Sequence, residues 1–273
     1  MRPSKAIAKW RRGEPVLFSL FHLTDPQHFE ILGLMGHDGV WMDLEHHFYS
    51  EQTAGELIRI ARMGGCDVIA RAAKGEWARM ARLLEAGASG LMVPRIENAD
   101  EARECVQWTR FPPIGVRGFD GGNPDMPYSS IPPDEYIRIA NDQTYVIIQI
   151  ESPSALDHVD EIAAVDGVDG LMLGPGDFSI LAGVPGQMDH NIIHDAERRI
   201  AAAAKSAGKV WGRPIGSPEQ CKQLMDMGAS FFFYGADLMM IIQGLKDTQA
   251  QFTPLGFTFD NQLARPGTVY EVD

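Results

Sequence analysis

The chain of 273 residues carries 24 Lys+Arg against 37 Asp+Glu, a formal net charge of −13, with 45% hydrophobic and 22% charged residues. That balance fits a packed globular protein rather than a disordered chain, and its acidity argues against binding nucleic acid or an anionic membrane by bulk electrostatics. An anionic substrate is not excluded, because a few local cations or a metal ion can reverse the field inside a cleft.

Residues 1–13 are basic and carry Trp10, without the apolar core of a signal peptide. No apolar run approaches the roughly 18–20 residues that span a bilayer. From Pro15 onward, short apolar runs alternate with longer amphipathic stretches, the pattern of repeated βα units. The runs predict strands at Pro15–Leu20, Gly39–Asp43, Asp67–Arg71, Gly90–Pro94, Thr144–Ile150, Asp169–Leu173, Lys209–Gly212 and Ser230–Tyr234. The amphipathic stretches predict helices at Pro26–Met35, Gln52–Met63, Glu76–Ala86, Ala99–Thr109, Ala155–Ala164, Ile192–Ala207, Pro218–Met227 and Ala236–Gln249. Met63-Gly64-Gly65, Ala86-Gly87 and Met227-Gly228 read as helix stops, since Gly takes the left-handed cap conformation at little cost.

Eight strands, each followed by a helix, point to a (β/α)8 barrel, one domain over residues 1–273 with the barrel at about 14–250. Two segments break the rhythm. Phe111–Pro133, rich in Pro, Gly and Asn, is too long for an ordinary connection and predicts an extra element or a loop reaching toward a neighbour. Residues 254–273 show no helical period and predict an extended C-terminal arm. Cys66, Cys105 and Cys221 have neither disulfide nor metal-ligand spacing, so a cytoplasmic protein with reduced thiols is expected.

In parallel barrels the working residues stand at the carboxyl ends of the strands. That rule selects Asp43 and His46 after the second strand, with His47 beside them, Arg71 after the third, Gln149 and Glu151 after the fifth, and Asp177 after the sixth. Glu151 and Asp177 offer hard carboxylate oxygens to a divalent cation. His46 suits a base near neutral pH, held by Asp43 three residues earlier. Arg71 offers a planar fork to a carboxylate or a developing enolate. Gly174-Pro175-Gly176 lets the backbone approach a ligand closely. Taken singly, each carboxylate reads more readily as a helix cap or surface group, and Arg71 equally as half of a structural ion pair. His22, after the first strand, is a further candidate for the mouth.

These residues, with Asp43-Leu-Glu-His46, Arg71, Leu91-Met-Val-Pro94, Asn98-Ala-Asp-Glu-Ala102, Phe111-Pro-Pro followed by Gly115-Val-Arg-Gly118, Gln149-Ile-Glu151 and Gly174-Pro-Gly-Asp177-Phe-Ser179, resemble the HpcH/HpaI aldolase family of class II pyruvate aldolases over roughly Gly13–Gly244. The resemblance implies that Glu151 and Asp177 hold Mg²⁺, Mn²⁺ or Co²⁺. It makes His46 and Asp43 a base pair, has Arg71 contact pyruvate and steady its enolate, and sets Gln149 and the Gly176–Asp177 backbone beside pyruvate. It puts Glu85 where an Asp usually reaches a neighbouring subunit's site. It also implies a homo-oligomer, trimer or hexamer, with the last helix exchanged between subunits, the part expected of Ala236–Gln249. Phe119–Pro132 departs from the family pattern, which leaves the acceptor aldehyde open.

The reaction expected from this resemblance is reversible retro-aldol cleavage of a 4-hydroxy-2-oxo acid to pyruvate and a small aldehyde. A Schiff-base route needs a strand-end lysine inside the barrel. Among Lys5, Lys9, Lys74, Lys205, Lys209, Lys222 and Lys246 only Lys74 falls near a mouth, so that route is rejected. Two rivals remain: a CoA-ester lyase of the citrate lyase β-subunit or malyl-CoA type, and a non-catalytic barrel that binds a 2-oxo acid.

Overall fold

The structure, a computed structural model, describes residues 2–264. Eight parallel strands close into a barrel in chain order: β1 (Val16–Phe21), β2 (Gly39–Asp43), β3 (Asp67–Arg71), β4 (Gly90–Val93), β5 (Tyr145–Ile150), β6 (Gly170–Leu173), β7 (Val210–Pro214) and β8 (Phe231–Ala236). The helices are α1 (Lys5–Arg11), α2 (Pro26–Leu34), α3 (Glu51–Gly64), α4 (Trp77–Ala86), α5 (Ala99–Thr109), α6 (Pro133–Gln143), α7 (Pro153–Asp157), α8 (Val159–Ala163), α9 (Pro175–Leu181), α10 (Asn191–Ala207), α11 (Pro218–Asp226) and α12 (Asp237–Phe252). The expected (β/α)8 barrel is therefore present, and all eight strands fall within two residues of their expected bounds.

The near-continuous apolar runs of β2 to β6 follow from burial on both faces. One set of side chains, including Phe18, Trp41, Ile69, Met92, Ile147 and Phe233, fills the barrel interior. The alternate set, such as Val40, Val68, Leu91 and Ile148, packs outward on the helices. Gly65 (φ 88°) and Gly87 (φ 110°) end α3 and α4 in the left-handed conformation, as their sequence positions predict.

Four differences from the sequence reading have local causes. The basic N-terminal stretch folds as α1 and plugs the barrel floor. The buried Asp67 carboxylate accepts from Ser4 Oγ (2.6 Å) and from the Lys5 and Ala6 amides (3.0 and 2.9 Å), and Trp10 packs edge-on to Tyr145. The helix expected over Ala155–Ala164 is broken at His158, whose ring Nδ1 lies 2.9 Å from the Ser154 carbonyl.

The long αβ connection carries an extra element, a 3-10 turn at Pro127–Ser129, as one of its two expected readings has it, and leads into α6, a helix absent from the expected set. Asn123 Oδ1 accepts from the Asp125 and Met126 amides, and Asp125 holds both Arg62 (3.0 Å) and the Tyr136 hydroxyl (2.9 Å) of α6. It joins the end of α5 to the start of β5, so within one chain it lies on the face opposite the mouth. The tail from Pro254 is not simply extended: it turns back on α12, with Phe257 edge-on to Phe252 and Asn261 bonded to Gln249. Residues 265–273 of the expected arm lie outside the described residues.

Candidate active site

Parallel strands deliver their terminal residues to one rim, and a hydrogen-bonded arc runs along it. Arg71, at the end of β3, grips Asp43 at the end of β2 with two parallel bonds, Nε to Oδ1 at 2.9 Å and Nη2 to Oδ2 at 2.6 Å. Its guanidinium lies 4.7 Å over the Trp41 ring and 3.3 Å from Glu45 Oε2. Arg71 Nη1 then reaches Gln149 Oε1 (3.4 Å), and Gln149 Nε2 donates in turn to Glu151. Arg71, Asp43, Gln149 and Glu151 are all buried. Burial works against ionised Asp43, but the Arg71 guanidinium and the amides of His46 and Glu45 outweigh it and hold its pKa below the ordinary carboxylate value.

The arc continues through Arg95, a residue the sequence reading passed over. Just past β4 it adopts a left-handed backbone (φ 60°), rare for a residue with a Cβ and costing about 1–2 kcal/mol. That turn aims its amide at Glu151 Oε1 (2.7 Å) and carries its guanidinium to Asp177 Oδ1 (3.0 Å). Gly174 closes the arc from behind. A Cβ there would stand 2.6 Å from Gln149 Nε2 and 3.1 Å from Glu151 Oε2, so the end of β6 requires glycine. Asp177 and Gly176 follow in the first turn of α9, with open space where a Gly176 Cβ would be.

The donor set suits a divalent cation. Burial pushes the Glu151 carboxyl up to about 7; neighbouring Asp177 and Glu45 add to that, and Arg95 offsets it only in part. A hard dication beside Glu151 and Asp177 relieves that charge. Among the described residues no three His, Cys, Asp or Glu groups converge as a complete cage. Two carboxylates with the remaining positions left to water and substrate oxygens is the way Mg²⁺-type ions are held.

One expectation needs correction. The side-chain pairing of His46 with Asp43 does not form, because both Asp43 oxygens are engaged by Arg71 and Oδ1 also takes the Glu45 and His46 amides. The His46 ring turns outward, 54% exposed, with Glu45 Oε2 at 3.6 Å. It is His47 whose Nε2 approaches Asp43 Oδ2 (3.6 Å), and the His47 ring meets that of His22 edge-on at 4.4 Å. Glu85, expected at a neighbouring subunit's site rather than at its own rim, stands apart from this arc. It ends α4, half-buried, on the face that adjoins the Phe111–Pro133 excursion, its carboxyl pushed up chiefly by burial. Lys74 is tied to Glu101 (2.7 Å) and to the Arg95 carbonyl (3.0 Å) rather than free at the mouth.

A barrel whose strand ends gather carboxylates, arginines and an amide at one rim is built as an α/β-barrel enzyme. Its sequence is 36% identical over 237 residues to the hydroxypyruvate/pyruvate aldolase of Delftia acidovorans, covering 86% of this chain and 87% of that one. It is 30% identical over 245 residues to the 4-hydroxy-2-oxo-heptane-1,7-dioate aldolase of Shigella sonnei, covering 90% and 93%. The crystal structure of an HpcH/HpaI aldolase from Desulfitobacterium hafniense superposes with a TM-score of 0.83 at 28% identity, covering 89% of this chain and 95% of that one. Residues 16–244 match the model of the HpcH/HpaI aldolase/citrate lyase family. The chain belongs to that family and is a carbon–carbon lyase.

Proposed function

We propose that this chain cleaves a 4-hydroxy-2-oxo acid reversibly to pyruvate and a small aldehyde, with a divalent cation, Mg²⁺, Mn²⁺ or Co²⁺, held by Glu151 and Asp177. The observation that carries this reading is the continuous arc from Asp43 through Arg71, Gln149 and Glu151 to Arg95 and Asp177. It sets a cationic fork beside a buried carboxylate pair, which a 2-oxo carboxylate can bridge. Two similar proteins named as aldolases acting on pyruvate-type and 4-hydroxy-2-oxo substrates support it. When bound, the cation supplies Lewis-acid polarisation of the 2-oxo group.

The chain's own residues do the rest. Arg71, fixed by Asp43 and Trp41, meets the substrate carboxylate and the oxygen that gains charge as the C3–C4 bond breaks. Gln149 is locked between Arg71 and Glu151 and so keeps one orientation. The Gly176–Asp177 backbone borders the 2-oxo acid, and the loop after β2 carries the base. Free thiols at Cys66, Cys105 and Cys221 support a cytoplasmic setting.

The proposed assembly is a homo-oligomer, a trimer or hexamer, made through α12. Of its 16 residues only Asp237 is buried, while Leu238, Met239, Met240, Ile241, Leu245 and Phe252 are exposed. In that assembly the neighbouring chain's Glu85 is the acidic residue proposed to reach this mouth. The direct test incubates chelator-stripped protein with pyruvate and an aldehyde panel, with and without Mn²⁺. Carbon–carbon bond formation that needs the ion, and survives borohydride treatment with pyruvate, is the expected result. Undiminished turnover in chelator overturns the cation's role.

A further inference from the structure

The rim holds two arginines in unlike surroundings. Arg71 makes its two parallel bonds to Asp43 under the cover of Trp41, and only 8% of its side chain meets solvent. Arg95 lies open, 42% exposed. Its Nη2 donates to Asp177 Oδ1 at 3.0 Å, and its Nε stands 3.5 Å from Glu151 Oε1. The guanidinium therefore spans both carboxylates of the pair assigned to the cation. The backbone beneath it is pinned from either side. The Arg95 amide donates to Glu151 Oε1 (2.7 Å), and its carbonyl accepts from Lys74 Nζ (3.0 Å), which Glu101 holds in turn at 2.7 Å. A long, open side chain on a fixed backbone can leave Asp177 by turning about its own bonds, while the amide stays on Glu151.

We propose that Arg95 is the resident counter-charge of the cation site: its guanidinium holds the Glu151 and Asp177 oxygens that a divalent ion needs, and yields them when the ion binds. This inference rests on the reading of Glu151 and Asp177 as the cation's ligands and adds the residue that competes for them. The charges of the two carboxylates repel, and a cation between them offsets that. A guanidinium does so through directed N–H bonds, which are weak where solvent reaches them. A dication carries twice the charge and bonds oxygen directly. The ion therefore wins the exchange, but binds less tightly than it would to an unoccupied pair. Arg95 thus sets the affinity of the site.

A purely supporting Arg95 makes the opposite prediction. Were its guanidinium there to orient the two carboxylates for the ion, removing it would loosen the ligands and weaken binding. The surroundings of Glu151 argue against that role. Its Oε1 already accepts the Arg95 amide and its Oε2 accepts from Gln149 Nε2, so the carboxylate is oriented from both sides without the guanidinium.

Two measurements on the whole chain test this. The first titrates Mn²⁺ into chelator-stripped wild type, Arg95→Met and Asp177→Asn, following the free ion by EPR. Methionine keeps the Cβ, so the left-handed turn is burdened equally, and melting temperatures check the fold. Arg95→Met should bind Mn²⁺ about 5- to 20-fold more tightly, because the ion no longer has to break two part-exposed ion pairs. The second labels wild type with phenylglyoxal in EDTA and in saturating Mn²⁺, and maps the adducts by mass spectrometry. Mn²⁺ should raise the labelling rate several-fold at Arg95 and leave it unchanged at Arg198, a 62% exposed arginine of α10. Equal or weaker Mn²⁺ binding in Arg95→Met, or Arg95 labelling that ignores the ion, overturns the proposal. Mn²⁺ binding that is absent from wild type and Arg95→Met alike, or undiminished in Asp177→Asn, overturns the cation assignment to Glu151 and Asp177 instead.

Discussion

Replacing Glu151 by Gln separates the electrostatic cost of this site from its use. In the metal-free protein the Glu151 carboxyl rises from an ordinary 4.5 to about 7, chiefly by burial. A raised acid destabilises the fold once it must ionise. The penalty is absent below the unfolded value, grows as pH climbs from 4.5 to 7, and is complete above that, at about 3 kcal/mol. The amide of the Glu151→Gln variant carries no charge and escapes that penalty. It still accepts from the Arg95 backbone, but its NH₂ meets the NH₂ of Gln149, and losing that hydrogen bond costs about 1 kcal/mol. The balance favours the variant by about 2 kcal/mol at pH 8 and is near zero at pH 5.5. Urea unfolding in EDTA at both pH values measures it, and wild type with saturating Mn²⁺ should regain the difference while the variant does not. Stability curves that run parallel for the two proteins from pH 5.5 to 8 would refute the argument.

Two further outcomes are expected. Gly174→Ala drives a methyl group against Gln149 and Glu151, so it should destabilise the protein by about 1–3 kcal/mol and weaken Mn²⁺ binding. Unfolding and Mn²⁺ titration by EPR check this, and wild-type values in both would show slack at the end of β6. Leu245→Asp on the exposed face of α12 should leave the melting temperature of the isolated barrel within about 2 °C, since solvated surface changes cost little. It should shift sedimentation from oligomer to monomer; a variant that stays assembled removes α12 from the interface.

The strand-end rule found Arg71, Gln149, Glu151 and Asp177 because parallel topology fixes where a strand's last residues go, whatever surrounds them. It could not find Arg95 in the same way, since that role depends on a left-handed backbone after Pro94 which an arginine does not advertise. The neighbours His46 and His47 show the same limit. Loop dihedrals decide which ring faces Asp43, and two identical side chains in sequence give no hint of them. The barrel was legible from its apolar runs. Some missed helices had carried signals all the same: α6 opens with Pro133 at its first position and acids at 134 and 135, and α9 opens with Pro175 and carries Asp177 in its first turn. The surrounding Pro- and Gly-rich composition masked both.

The arc at the mouth also has a mechanical side. Strands β1 to β4 form one half of the ring and β5 to β8 the other, and several polar contacts of the rim cross between them. Arg95 reaches Glu151 and Asp177, Arg71 reaches Gln149, and His22 reaches Asp237. In those crossing contacts the first half supplies the cationic and imidazole partners, the second the carboxylates and the amide. Neither half alone holds a working site, and the ordered excursion over residues 111–132 is the hinge of covalent chain that joins them on the opposite face. The groups that handle the substrate therefore double as the clasp that keeps two half-barrels in register. An exchange at one of them alters how the halves meet as well as the chemistry between them.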